Sequence, residues 1–542
     1  MDNSGMLNIK LIIAGGLRRF SFIVLIFMPI AVIAFVSQEM PGYCENNKSW
    51  LYEGPIYETH PYYYPNHSFK EITQAVPNLA DLGIKTIYLM PVWESTRWAG
   101  NQNIPFKFLY WINDYYKINP EYGTQEELKE LVACAHRYNM RIVFDLVTCC
   151  TFEGSATYKW NFTVPLAELK TLKAPLRYSV VKGMNCAYSK PKKDKHSPKM
   201  KYLDLFGKID GNIAHLYIYP YPFFGPAMDK ANPEAIDYFT KVAEYYVREF
   251  DIDGFRVDAP ANNWNPALIR GDHSIINLLR SVKKAINGVK PDAVLFAETP
   301  FVDNTWTIKG GSPETFLEPV LDQMCEASYS YDFVRGLGRR KNSQALVEWF
   351  ARERINNNRT RIRFLETHDS PRINALAPAV NKCLFVLVST VPGIPMIQAG
   401  QEIGATNEWF SYWYSVKKIK PDPRVDWDKR DHRLRGFYKK IFSVRDMNPA
   451  LKYGDIKNVW KSGDNIYAYS RTYDDETVVV VINFRSKITS SVLNLPFNPG
   501  IVLYDELNDE SFIVDNPDVF RLSVAAYGSR ILVLKDKNQK TD

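Results

Sequence analysis

The run Gly254-Phe255-Arg256-Val257-Asp258-Ala259 is a short apolar stretch that carries an arginine and ends on an aspartate. A core strand has no use for that pair unless its C-terminal end opens onto a site, where the guanidinium holds the carboxylate ionised. Asp258 is therefore the first candidate nucleophile. Two other apolar runs end in the same way: 293–297 leads into Glu298, and 361–367 leads into His368-Asp369. Acids at the C-terminal ends of separate strands are what a (β/α)8 barrel active site demands, because its chemistry sits on that face.

The rest of the chain is consistent with such a barrel. A first strand over 54–60 is followed by a capping box, Ser68 with Glu71, which opens a helix that runs to about Leu82 and stops at Gly83. A strand over 85–92 comes next. Thr124 and Glu127 form a second capping box, opening a helix with apolar Leu128, Leu131, Val132 and Ala135, and a third strand covers 141–147. This alternation predicts a parallel sheet. It stops over 151–224, a segment rich in Tyr, Pro and Lys, and a piece that long is a small domain or a site cover. It resumes at Asn232-Pro233 with a helix to about Phe250. The fourth strand, 252–259, is the organising one. A helix over 274–286, strands before Glu298 and over 327–333, a helix over 344–354, the strand before Asp369 and a last strand over 392–398 complete eight. After a helix over 434–447, alternating β runs from 452 predict a separate antiparallel sandwich.

Gly-Phe-Arg-Val-Asp at 254–258, the acid of Phe-Ala-Glu at 296–298 and Glu-Thr-His-Asp at 366–369 resemble three of the four signature regions of the α-amylase family of glycoside hydrolases. The resemblance runs from about Trp50 to about Val533. It implies a (β/α)8 TIM barrel over 48–150 and 225–450, an irregular B-domain insertion after strand 3 over 151–224, and a C-terminal antiparallel β-sandwich over 452–537. It further implies a retaining hydrolase of α-glucosidic bonds working through a covalent glycosyl-enzyme, with Asp258 as nucleophile, Glu298 as general acid/base and Asp369 as transition-state stabiliser. Arg256 should lower the pKa of Asp258. His368 would contact the sugar hydroxyls, Tyr110 falls where the family places an aromatic platform, and Arg372 is a further candidate substrate contact, placed to position Asp369.

The departures from the family pattern are informative. Asp145-Leu146-Val147-Thr148-Cys149-Cys150 matches the family's Asp-x-Val-x-Asn-His region but puts cysteines where Asn and His stand. That Asn commonly ligates a structural calcium, and a thiol is a poor ligand for a hard cation, so no metal site and no required cofactor is expected. The missing His, which in the family holds the 6-hydroxyl, leaves the identity of the sugar open. Ala261 and Asn262 replace a Lys-His pair that many members carry after the nucleophile.

Composition sets wider bounds. With 542 residues the chain exceeds a single core, and 46% hydrophobic and 23% charged residues describe an ordinary folded protein. Its net charge of +7 includes a lysine-rich stretch over 190–201 that lacks interleaved aromatics, so it reads as a solvated loop and no nucleic-acid partner is expected. Residues 1–40 place Lys10, Arg18 and Arg19 before an apolar run over 20–36. That pattern predicts export, through a signal peptide or a signal anchor, with membrane anchoring through 20–36 as one outcome. Of seven cysteines, Cys134, Cys325 and Cys383 read as buried thiols, and Cys186 is a candidate bridge partner for Cys149 or Cys150. Two other functions share the fold: transglycosylation through the same intermediate, and a non-catalytic, membrane-anchored binding protein. Linkage, chain length and oligomeric state are not encoded legibly.

Overall fold

A computed structural model of the chain describes residues 49–95, 109–165, 167–168, 176–180, 203–216, 226–260, 274–298, 324–329, 360–407, 423–459 and 466–534. Eight parallel strands close into a barrel: β1 (Ile56–Thr59), β2 (Thr86–Leu89), β3 (Arg141–Val147), β4 (Gly254–Asp258), β5 (Val294–Ala297), β6 (Ala327–Tyr329), β7 (Arg361–Arg363) and β8 (Ile394–Gln398). Each strand pairs with its sequence neighbours, and β8 closes onto β1 through Ile56 opposite Met396. Every residue of β4 is buried, as a parallel strand covered on both faces requires.

The predicted caps form as drawn. Helix α1 (Phe69–Leu82) starts at the Ser68/Glu71 capping box and ends at Gly83, whose φ of 96° is a left-handed stop that a side chain would resist. Helix α2 (Gln125–Arg137) starts at the Thr124/Glu127 box, and α3 (Pro233–Phe250) starts with Asn232 accepting from Glu234 N–H. Helix α4 spans Ser274–Val289 and α6 spans His432–Met447, capped by Asp431. Between them, α5 (Asn381–Thr390) was not anticipated. Eight of its ten residues are buried, so it has no polar stripe and no amphipathic period to read. The helix expected over 344–354 lies outside the described residues.

Within the segment after β3, strands Thr163–Pro165, Leu176–Val180, Leu203–Asp210 and Ile213–Leu216 form one sheet. Trp93–Ser95 and Ile112–Ile118 pair as a further antiparallel ribbon after β2, which sequence reading missed. The C-terminal strands form a six-stranded sheet and a two-stranded sheet with a separate apolar core between them, including Ile466, Ala468, Val479, Val481, Leu522 and Leu532. The alternate residues Tyr467, Tyr469, Val478, Val480 and Ile531 join the barrel's core instead. The period of two thus puts one face of the sheet into the sandwich and the other against the barrel.

Candidate active site

Arg256 and Asp258 are two apart on β4 and project to the same side of the sheet. The Arg256 guanidinium is fully buried, over the rings of Tyr88 at 5.9 Å and Tyr329 at 5.5 Å, and it serves three carboxylates. Nη1 donates to both oxygens of Asp145 (2.8 and 2.7 Å) and to Oδ1 of Asp258 (2.7 Å), while Nη2 lies 2.7 Å from Oε2 of Glu298. The second oxygen of Asp258 accepts from the Cys149 thiol at 3.0 Å, and Glu298 Oε2 accepts from Ala259 N–H at 2.9 Å. Ala259 sits at φ 37°, a left-handed conformation that a non-glycine residue adopts only under constraint.

One expectation changes here. Arg256 does not hold Asp258 at low pKa: burial pushes the carboxyl up to about 7, Arg256 opposes this, and the neighbouring Glu298 and Asp145 add to it. The physical reason is that a single cation is divided among three acids in a largely buried site. Asp258 and Glu298 are 7% and 8% exposed.

The loop after β7 brings His368 and Asp369 to the same end of the barrel. His368 is buried, with Nδ1 on Glu58 Oε1 at 2.7 Å and its backbone N–H on the same oxygen at 2.9 Å. Its Nε2 lies 2.7 Å from the Tyr110 hydroxyl and 3.3 Å from Asp369 Oδ2. Burial opposes a charge on this ring, but the Asp369 and Glu58 carboxylates outweigh it and push His368 up to about 9, so both nitrogens donate. Tyr110 in turn donates to Asp145 Oδ2 at 3.1 Å and stacks on the His368 ring, 5.6 Å apart at 18°. A continuous chain of polar contacts therefore runs from Glu58 through His368, Tyr110 and Asp145 to Arg256. Asp369 stands at the open side, its side chain 41% exposed.

Arg372 has a different partner from the one expected. It is buried, donates from Nη1 to Glu366 Oε1 at 2.7 Å and from Nε to the Asn407 carbonyl at 3.1 Å. Glu366, the first acid of the Glu-Thr-His-Asp run, thus anchors the loop rather than facing the other acids. Sequence reading gave no site role to Glu58, which lies within β1, one residue before its end, and could have been found as an acid inside a buried strand. Lys230, buried with Nζ donating to the Pro260 carbonyl at 3.3 Å, had no signal at all. Cys149 and Cys150 are free buried thiols, as are Cys134, Cys325 and Cys383, and Cys186 lies outside the described residues.

Comparison with known proteins places this arrangement. The model of the alpha amylase catalytic domain matches residues 67–440, and that of the maltogenic amylase C-terminal domain matches 458–531. The chain is 27% identical over 442 residues to a cyclomaltodextrinase of Thermoanaerobacter pseudethanolicus, covering 78% of this chain and 64% of that protein. It is 24% identical over 438 residues to an intracellular maltogenic amylase of Bacillus subtilis strain 168, covering 76% and 61%. This chain thus spans less than two thirds of the length of these relatives. The fold matches the crystal structure of an alpha-amylase from Geobacillus thermoleovorans, complexed with acarbose, with TM-score 0.65 and 20% identity over 91% of this chain and 100% of that one.

These relatives also correct the exported location expected from residues 1–40. The B. subtilis relative is named an intracellular maltogenic amylase, and the segment 1–40 lies outside the described residues. A positive stretch before an apolar run is a sign of export but does not by itself establish it. The export reading is withdrawn. The match over most of the chain, on a closed barrel whose strand ends gather the acids, establishes that the chain belongs to the α-amylase family of glycoside hydrolases.

Proposed function

We propose that the chain hydrolyses α-glucosidic bonds of maltodextrin-type glucans, linear or cyclic, with retention. The observation that carries this reading is the Arg256 guanidinium, bonded to Asp258 Oδ1 and 2.7 Å from Glu298 Oε2, which keeps two carboxyl groups together at one end of the barrel. A double displacement needs such a pair, about 5 Å apart, with one group attacking and the other donating a proton to the leaving oxygen. Asp258 attacks the anomeric carbon when ionised. Glu298 protonates the departing oxygen and then takes a proton from the incoming water. Asp369, at the open side beside the cationic His368, offers a carboxylate to the hydroxyls of the distorted sugar, and His368 keeps that carboxylate oriented. The relatives' names, cyclomaltodextrinase and maltogenic amylase, support the choice of glucan.

The same reading includes no resident calcium at the end of β3. The Cys149 thiol is soft and already committed to Asp258, so the donors present do not fit a hard cation that takes oxygen.

The test is hydrolysis of cyclomaltodextrins and malto-oligosaccharides by the full chain and by Asp258→Ala. Activity should fall by at least about 10⁴-fold in the variant. In the wild type, kcat/KM should rise as pH passes through the region near 7 where Asp258 ionises. Glucan binding without turnover by the wild type would replace this reading with a binding protein.

A further inference from the structure

We propose that Cys149 is a positioning residue for the nucleophile: its thiol holds Oδ2 of Asp258 in the attacking orientation and favours the ionised carboxylate. The proposal rests on the hydrolase reading above, because Cys149 acts only through Asp258.

The two oxygens of Asp258 have unequal partners. Oδ1 takes a charge-assisted bond from Arg256 at 2.7 Å, whereas Oδ2 takes a weak S–H donor at 3.0 Å. An attacking carboxylate oxygen must stay aimed and yet surrender its partner as the new C–O bond forms. The thiol meets both needs, because it fixes direction and is the cheaper bond to break. Arg256 keeps its hold on the other oxygen throughout.

The thiol is itself held. The Cys149 carbonyl accepts from Met228 N–H at 3.2 Å, and Cys150 bridges to Ala227. The same segment continues to Lys230, whose buried ammonium donates to the carbonyl of Pro260, two residues past Asp258 and beyond the left-handed Ala259. One stretch of chain, 227–230, therefore braces both the donor to the nucleophile and the turn that follows it. The neighbouring Cys150 thiol, burial and the Asp258 carboxylate all push Cys149 well above the usual thiol range, so it remains protonated and a donor. For the same reason it is a poor nucleophile of its own.

The groups that set the titration of Asp258 come from every side: Asp145 on β3 and Cys149 just past its end, Lys230 before α3, Arg256 on β4, Glu298 after β5, and Tyr110 from the segment after β2. Tyr115, buried beside the Val147 carbonyl, faces the site from the ribbon. Among the described residues Cys149 is the neutral donor to Oδ2, so its removal takes away a bond made to the ionised form while leaving every charge in place.

The experiment compares the full chain with Cys149→Ala and Cys149→Ser, using a 4-nitrophenyl α-maltoside for kinetics and [¹³C-carboxyl]-aspartate NMR for the titration of Asp258. In Cys149→Ala, kcat should fall roughly tenfold with KM nearly unchanged, and the acid limb and the carboxyl titration should both move to higher pH. Cys149→Ser keeps a donor and should return both toward the wild type, which loss of packing alone would not do. Wild-type kinetics and titration in Cys149→Ala would overturn the proposal, as would equal losses in both variants with an unmoved titration. Failure of the wild type to hydrolyse the maltoside would instead sink the hydrolase reading, and the NMR titration would still decide whether Cys149 governs Asp258.

Discussion

His368 shows how one residue's charge is made by its surroundings. Burial alone would leave the imidazole neutral, yet Glu58 lies 2.7 Å from Nδ1 and Asp369 3.3 Å from Nε2, and the ring is raised to about 9. A base whose folded pKa exceeds its unfolded value, about 6.5, contributes stability that is fully present below that value and is lost as pH rises through 9. The window is thus pH 6.5–9, and the contribution is on the order of 3 kcal/mol. Glu58→Gln removes the carboxylate from Nδ1, so the His368 titration, followed by NMR, should move down by a unit or more, and the alkaline loss of stability should be smaller and complete at lower pH. An unmoved titration would show that Asp369 alone holds the charge. Glu58 was legible as an acid inside a buried strand, but its partner 310 residues away was not.

At the scale of the element, β4 depends on its first residue as much as on its last. Gly254 has φ 147°, and a Cβ there would stand 2.1 Å from the Val294 carbonyl oxygen of β5. Gly254→Ala should therefore push β4 off β5 and destabilise the fold by about 3 kcal/mol or more, measured as a lower urea midpoint. Activity should fall with it, because Arg256, Asp258 and Glu298 ride on those two strands. A variant of wild-type stability would mean that the sheet relaxes around the methyl. The capped helices α1, α2 and α3 were readable residue by residue because their signals are local. Helix α5 was not, because a helix buried all round carries the same apolar run as a buried strand.

The whole molecule is joined at a seam that no motif marks. Strand Ile466–Tyr473 of the C-terminal sheet carries Arg471, buried and, among the described residues, bonded to carbonyls rather than to a carboxylate. Its guanidinium donates to the carbonyls of Gly454, Leu451 and Thr390, the last residue of α5, while Arg445 of α6 reaches Ser389, Leu451 and Gly393. Two buried arginines thus collect the open carbonyls at helix and strand ends where barrel and sandwich meet. Arg471→Leu leaves those carbonyls unsatisfied and should cost about 3 kcal/mol or more. Urea unfolding followed by hydrogen exchange should then show the C-terminal sheet opening before the barrel, and a single unchanged transition would refute the seam.

What the sequence by itself determined was whatever is written in local runs: the capped helices, all eight barrel strands to within a few residues, the change of period at the sandwich, and the acids at or just past their strand ends. These follow from side-chain periodicity and hydrogen bonds within one turn, which need no distant partner. Only the tertiary structure decided how the charges are shared. That Arg256 serves Asp145, Asp258 and Glu298 together, that Arg372 turns to Glu366, and that a thiol of β3's loop meets the carboxyl of β4 are results of closing the barrel. Closure brings residues more than a hundred positions apart within 3 Å in a largely buried site, where burial outweighs a single shared cation and raises Asp258 instead of lowering it.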